Sequence, residues 1–246
     1  MSAWLFDLGN TRLKCAPVGE DGMPGEIIAL DHRDRDLAPQ LAHVLPARFD
    51  AAYVASVASE PLRVALLDAL ITHCRRICVA RTQRAFDGIR IAYAQPHKLG
   101  IDRFLALLAA HGRGEGAALV CAVGTALTVD LIDDEGRHRG GRIAPSPTLM
   151  REALHARAAQ LPTVGGDYQP FAADTADALA SGCEGAALAL IERSLDAARD
   201  ELGATPQLLL HGGGSDALWP HLANATLVPA LVLQGLARWA RADAPA

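Results

Sequence analysis

A strand, a turn of small residues and a second strand occur twice in this chain. The first copy is Trp4-Leu5-Phe6-Asp7-Leu8-Gly9-Asn10-Thr11-Arg12-Leu13-Lys14. It opens with an apolar run fit for a buried strand, places an acid near its end, turns at Gly-Asn and resumes with alternating residues. The second copy follows the apolar Ala117-Ala118-Leu119-Val120 and reads Cys121-Ala122-Val123-Gly124-Thr125-Ala126-Leu127-Thr128-Val129-Asp130. One copy alone is an ordinary β-hairpin with turn residues at its tip. Two copies, one in each half, imply an internal duplication. Gly9 has no Cβ and lets backbone approach a bulky anion. Asn10, Thr11 and Lys14 add an amide, a hydroxyl and a cation, a set that suits nucleotide phosphates and their magnesium.

The chain has 246 residues. That length accommodates one large domain or two of about 120 residues each. Half of the residues are hydrophobic but only 4% are aromatic, so the core must rely on Leu, Val and Ala in closely packed helices. A net charge of −5 argues against non-specific nucleic-acid binding. The five cysteines, Cys15, Cys74, Cys78, Cys121 and Cys183, are scattered and odd in number. Cys74 and Cys78 are expected on or just after a helix end, without a zinc cluster, as reduced thiols of a cytoplasmic protein. Neither a signal peptide nor a membrane-spanning run is expected.

Between the hairpins the pattern reads β-β-β-α-β-α-β, the order of a ribonuclease-H-like half-domain. A third strand is expected over 26–30 and a helix over 34–45. A strand follows over 51–57, then a helix after Pro61 and a short strand over 77–80. Residues 89–93 read as extended. A helix is expected from Asp102 to about Ala110, with Asp102 in its first turn, where the helix dipole favours the ionised carboxylate. Gly112 to Gly116 marks the best boundary, giving halves 1–115 and 116–246. In the second half, strands are expected over 127–132 and 137–143, then a helix from Thr148 to about Leu161. A long Ala-rich helix is expected over 176–202 and a closing helix over 231–241. Gln207 to His211 reads as a strand running into Gly212-Gly213-Gly214-Ser215, a surface on which a base or ribose can lie.

Taken in order, these motifs resemble the type III pantothenate kinase family, within the acetate kinase, sugar kinase, Hsp70 and actin superfamily. The resemblance runs from about residue 3 to 240. Asp7 to Lys14 fits the family's first phosphate motif, Gly100-Ile101-Asp102-Arg103 its Gly-x-Asp-Arg motif, and Gly124-Thr125-Ala126 with Thr128 and Asp130 its second phosphate motif. Gly140-Gly141-x-Ile143 with Pro145, and Thr175 seven residues before Gly182, fit the segments that follow. The resemblance implies an α/β fold of two ribonuclease-H-like half-domains with a cleft between them. It implies ATP-dependent phosphorylation of pantothenate, the first step towards coenzyme A, with Asp102 as the base. Asp7, Leu8, Gly9, Asn10, Thr11, Arg12, Leu13, Lys14 and Thr125 would hold ATP, with Asp7 on magnesium. Tyr93, Gly100, Ile101, Asp102, Arg103 and Thr175 would hold pantothenate. Family members are homodimers, so a homodimer is expected.

Two positions depart from the family pattern. Most members carry an acid two residues before the second Gly, associated with potassium or ammonium. Here that place is Ala122, which puts the monovalent-cation dependence in question. Ser146 stands where many members have Gly. Two rival readings follow from other classes: a catalytically weak or regulatory accessory factor, and a kinase for another small acid or a sugar. Retention of Asp102 speaks against the first, and the short chain with its compact Gly-x-Asp-Arg element against the second.

Overall fold

The structure, a computed structural model, describes residues 2–32 and 36–243. The chain divides into two compact units, Met1–Arg113 with Ala230–Ala246, and Gly114–Pro229.

The first unit opens with β1 (Ala3–Leu8), β2 (Arg12–Pro17) and β3 (Ile28–Asp31). It continues through α1 (Leu37–Val44), β4 (Phe49–Ser56), α2 (Glu60–Ile71) and β5 (Cys74–Val79). A small hairpin, β6 (Ala85–Phe86) and β7 (Ile89–Arg90), precedes α3 (Ile101–Gly112). The sheet order is β3-β2-β1-β4-β5. β1 pairs antiparallel with β2 and parallel with β4. Period-two alternation sends Trp4, Phe6, Leu8, Leu13 and Cys15 to one face, where they pack with Leu37 and Leu41 of α1 and Leu66 and Leu70 of α2. Each fully buried Leu or Phe in such a layer contributes roughly 1.5–3 kcal/mol.

The second unit runs β8 (Ala118–Val123), β9 (Ala126–Ile132), β10 (His138–Pro145), α4 (Pro147–His155), α5 (Thr175–Leu202), β11 (Gln207–His211), α6 (Ser215–Leu218) and β12 (Ala225–Leu227). Its sheet order, β10-β9-β8-β11-β12, repeats that of the first sheet. Leu119, Cys121, Val123, Leu127, Val129, Leu208 and Leu210 face Ala187, Leu188 and Ile191 of α5. Asp174 caps α5, its carboxylate accepting from the N–H groups of Ala176 at 2.9 Å and Asp177 at 3.0 Å.

The last helix, α7 (Leu231–Asp243), belongs to the first unit, although it follows the second in sequence. It packs along α3, and a Cβ at Gly235 would collide with the Leu105 backbone, so only glycine permits this approach. Trp239 meets Tyr53 of β4 edge-on at 6.4 Å, which places α7 on the sheet face opposite α1 and α2. α3 is buried almost throughout, from Phe104 to Ala110 without interruption.

Several elements differ from the sequence expectation. Cys74 lies two residues beyond Thr72, the cap that ends α2, and opens β5, whereas Cys78 lies further along that strand. α1 starts at Leu37 behind the cap Asp36, and residues 34–35 of the expected helix lie outside the described residues. α4 ends at His155 rather than near Leu161. The β6–β7 hairpin turns at Asp87-Gly88, both with positive φ (44° and 90°). Among the described residues, no helix is long and apolar enough to cross a membrane.

Candidate active site

The first turn closes on itself through the Gly9 N–H, which donates to the Arg12 carbonyl at 3.0 Å. Register sets Leu8 opposite Leu13 and Asp7 opposite Lys14. Because Leu8 and Leu13 face α1 and α2, Asp7 and Lys14 face the other way, towards the layer of α3 and α7. Asn10 and Arg12 are exposed at the tip. The Gly9 carbonyl lies 3.0 Å from Nε2 of His32, a residue only 8% exposed.

The start of α3 lies beside the ends of β1 and β4. The Val57 N–H, just after β4, donates to the Leu8 carbonyl at 3.1 Å. The Asp102 Oδ1 accepts from the Arg103 N–H at 2.9 Å. A Cβ on Gly100 would stand 2.5 Å from that same oxygen, so any other residue there would displace the carboxylate. Asp7 has its pKa pushed up to about 7. Burial is the main cause; the charge of Asp102 adds to it and Lys14 opposes it. Two carboxylates therefore share one neighbourhood in the first unit, with Lys14 as the cation that eases the load.

Arg103 is 6% exposed. Its Nη1 donates to the Tyr93 hydroxyl at 3.3 Å, and its guanidinium carbon lies 5.8 Å from the Tyr93 ring centroid, within cation–π range. The structure thus brings together Asp7, Lys14, Gly100, Asp102, Arg103 and Tyr93 in one unit. Ile101 points into the core, 8% exposed.

Thr125 and Thr175 belong to the second unit. There the turn closes in the same way, the Gly124 N–H donating to the Ala126 carbonyl at 2.9 Å. Register sets Val123 opposite Leu127 and Ala122 opposite Thr128. Gly124 and Thr125 are exposed. The Ser146 hydroxyl, 1% exposed, donates to the Thr125 carbonyl at 3.0 Å and accepts from the Leu149 N–H at 3.2 Å, capping α4. The glycine-rich segment after β11 is tied to the turn, its Gly214 N–H donating to the Val123 carbonyl at 2.9 Å. Thr175 opens α5 and lines a cavity of about 510 Å³ with Leu161, Ala172, Asp174 and Leu179.

His32 had no sequence signal; a single histidine after a four-residue strand carries no pattern. Ser146 was visible only as a departure, and its hydrogen bonds to Thr125 and Leu149 appear only in three dimensions. The cysteines are chemically quiet: burial pushes the Cys15 thiol up to about 12 and raises Cys74, Cys121 and Cys183 as well.

The sequence profile of the type III pantothenate kinase family matches residues 4–197, which include both turns, Gly100 to Arg103 and Thr175. The chain belongs to the type III pantothenate kinase family. It is 57% identical over 240 residues to a type III pantothenate kinase of Stenotrophomonas maltophilia, covering 98% of each chain. Among solved structures, it resembles one from Campylobacter jejuni described as a conserved Baf family transcriptional activator, with TM-score 0.65, 20% identity and 97% of each chain covered. It also resembles one from Sinorhizobium meliloti described as a 2-dehydro-3-deoxygalactonokinase, with TM-score 0.58, 18% identity, and 99% of this chain and all of that one covered. At these identities the likenesses show the fold alone.

Proposed function

We propose that this protein transfers the γ-phosphoryl group of ATP to the primary hydroxyl of pantothenate, giving 4′-phosphopantothenate and ADP. The observation that carries this reading is the near-full-length identity to a type III pantothenate kinase, together with the Asp7–Lys14 and Asp102–Arg103–Tyr93 arrangement in the first unit.

Residues 7–14 hold the ATP phosphates, and Thr125 is a further ATP contact. Turn amides and Lys14 face the charge that spreads over the phosphate oxygens. Asp102 accepts the proton of the pantothenate hydroxyl as its oxygen attacks the γ-phosphorus and the bond to ADP breaks. A carboxylate serves, because in a loose transition state the alcohol loses its proton late. Arg103 pairs with the pantothenate carboxylate, oriented by Tyr93. Gly100 keeps the space over Asp102 open, and Thr175 contacts the substrate.

The residues fit magnesium. Asp7 is pushed up by burial and by Asp102 with one lysine opposing, a balance that an added cation restores. A magnesium ion carried by ATP needs only one or two protein carboxylates, and when bound it neutralises charge on the β- and γ-phosphates. At the second turn Ala122 offers no carboxylate, so dependence on potassium or ammonium is weak.

A homodimer in the cytoplasm completes the proposal. α4 is amphipathic, yet none of its residues is buried. Ile143, Leu154, Val164 and Phe171 are 66%, 43%, 76% and 99% exposed, and a mainly apolar cavity of about 830 Å³ is lined by Leu149, Met150, Leu154, Leu179 and Cys183. Such surface in one unit is what a second copy would cover.

The test is ADP release with and without pantothenate, with the product identified by mass spectrometry. ADP formed equally with and without pantothenate, or only with a sugar acceptor, overturns the reading.

A further inference from the structure

His32 and Ser146 occupy equivalent places in the two units. Each is the residue immediately after the third strand of its sheet, His32 after β3 and Ser146 after β10. Each is buried, at 8% and 1% exposure, and each bonds at 3.0 Å to a carbonyl in the turn between the first and second strands of its sheet. The duplicated fold has thus kept a bond from the same place to the same turn, to its first residue Gly9 in one unit and its second residue Thr125 in the other, while the side chain that makes it changed from imidazole to hydroxyl.

We propose that His32 and Ser146 are positioning residues for ATP, each fixing one phosphate turn in the orientation that binds. The proposal rests on the reading that these turns hold the nucleotide phosphates. A carbonyl only accepts, so Nε2 of His32 carries the proton and donates to Gly9. In a planar trans peptide the carbonyl and the next N–H point in opposite directions. Pinning the Gly9 carbonyl therefore aims the Asn10 N–H, and pinning the Thr125 carbonyl aims the Ala126 N–H. At the first turn Gly9 makes a flip of its peptide with Asn10 easy, so an outside brace is what prevents it. Burial alone does not call for either bond. Asn10, Gly124 and Thr125 are exposed, so water can reach these turns and satisfy their carbonyls. What the buried side chains add is direction.

The experiment compares wild type with His32→Leu, which fills the space without a donor, and His32→Gln, which restores one. In the second unit it compares Ser146→Gly, which keeps most of the α4 cap without a hydroxyl, and Ser146→Thr, which restores it. Steady-state KM for ATP and for pantothenate, the melting temperature, and the Kd for magnesium-ATP by calorimetry are measured for each. His32→Leu and Ser146→Gly are expected to raise KM and Kd for ATP roughly five- to tenfold, the scale of one lost hydrogen bond. KM for pantothenate stays within about twofold, and Gln and Thr recover most of the loss. Unchanged ATP affinity overturns the proposal. So does an equal rise in both KM values, or Gln and Thr variants as weak as Leu and Gly. If wild type turns over no pantothenate, the proposed activity fails, while the calorimetric comparison still decides the brace.

Discussion

At the first turn Asp7 faces Lys14 across β1 and β2; at the second, the same two places are held by Ala122 and Thr128. The backbones correspond closely. Each turn closes through its glycine N–H, and each first strand has its last carbonyl bonded by an N–H from the segment after the fourth strand, Val57 to Leu8 and Gly214 to Val123. The side chains have diverged. The first unit carries a crowded carboxylate, a lysine opposite it and Asp102 nearby, whereas the second offers amides and hydroxyls at its turn, the carboxylate of β9, Asp130, lying further along the strand at 2.9 Å from His138. The two turns share a backbone, and a carboxylate facing a lysine at the strand ends occurs only in the first. Substitutions that remove charge in the first unit should therefore be costly, and those that add it to the second should change ion response more than rate.

The largest effect is expected at Asp102. Asp102→Asn should leave the melting temperature and ATP affinity near wild type and lower kcat by about 10²–10⁴, the usual value of general-base help. Wild-type kcat in the variant would reduce Asp102 to a helix-start acid and erase the functional difference between the units.

Next comes Asp7. Asp7→Asn should raise the magnesium concentration for half-maximal rate by about tenfold, because a carboxylate ligand is lost. An unchanged magnesium titration contradicts this role. The same variant sharpens the comparison through stability. The Asp7 pKa is raised from 3.8 to about 7, so the folded protein binds more protons than the unfolded chain between those values, and stability falls as pH rises through that window. Asp7 retains partial solvent access, which reduces the effect. Without nucleotide, Asp7→Asn should be more stable than wild type at pH 8 by about 1–2 kcal/mol and lose that advantage near pH 4. Parallel denaturation curves at both pH values would show that ionised Asp7 carries no strain.

The sequence displayed much of this asymmetry. Two glycine turns between apolar strands, and the β-β-β-α-β-α-β order, were enough to anticipate two sheets of like topology, because alternation and turn chemistry are local signals. Gly100 to Arg103 was legible as a motif, and the structure adds that Arg103 lies against Tyr93. What was hidden is tertiary. That α7 returns to the first unit depends on Gly235 meeting Leu105, which no local pattern encodes. The Asp87-Gly88 signal was present, but strands of two residues are too short to show alternation. Arg75-Arg76 beside Cys74 masked only the first half of β5, whose later residues fall in the strand expected over 77–80 and pair along β4 through Ile77 and Val79.

The smallest effect is expected at Ala122. Ala122→Asp places a carboxylate where the first unit has Asp7 and should create a potassium response of a few-fold in rate, the scale of one moderate electrostatic contact near the phosphates. A variant that remains indifferent to potassium would mean that charge at this position does not govern the ion.

If the charged first turn suffices, the neutral second turn needs no monovalent ion. The direct measurement is the initial rate of pantothenate phosphorylation by wild type as potassium replaces sodium or a bulky organic cation at fixed ionic strength. 4′-Phosphopantothenate is expected to form at a rate that hardly changes along the series. A wild-type enzyme silent without potassium and saturating as it is added would contradict it.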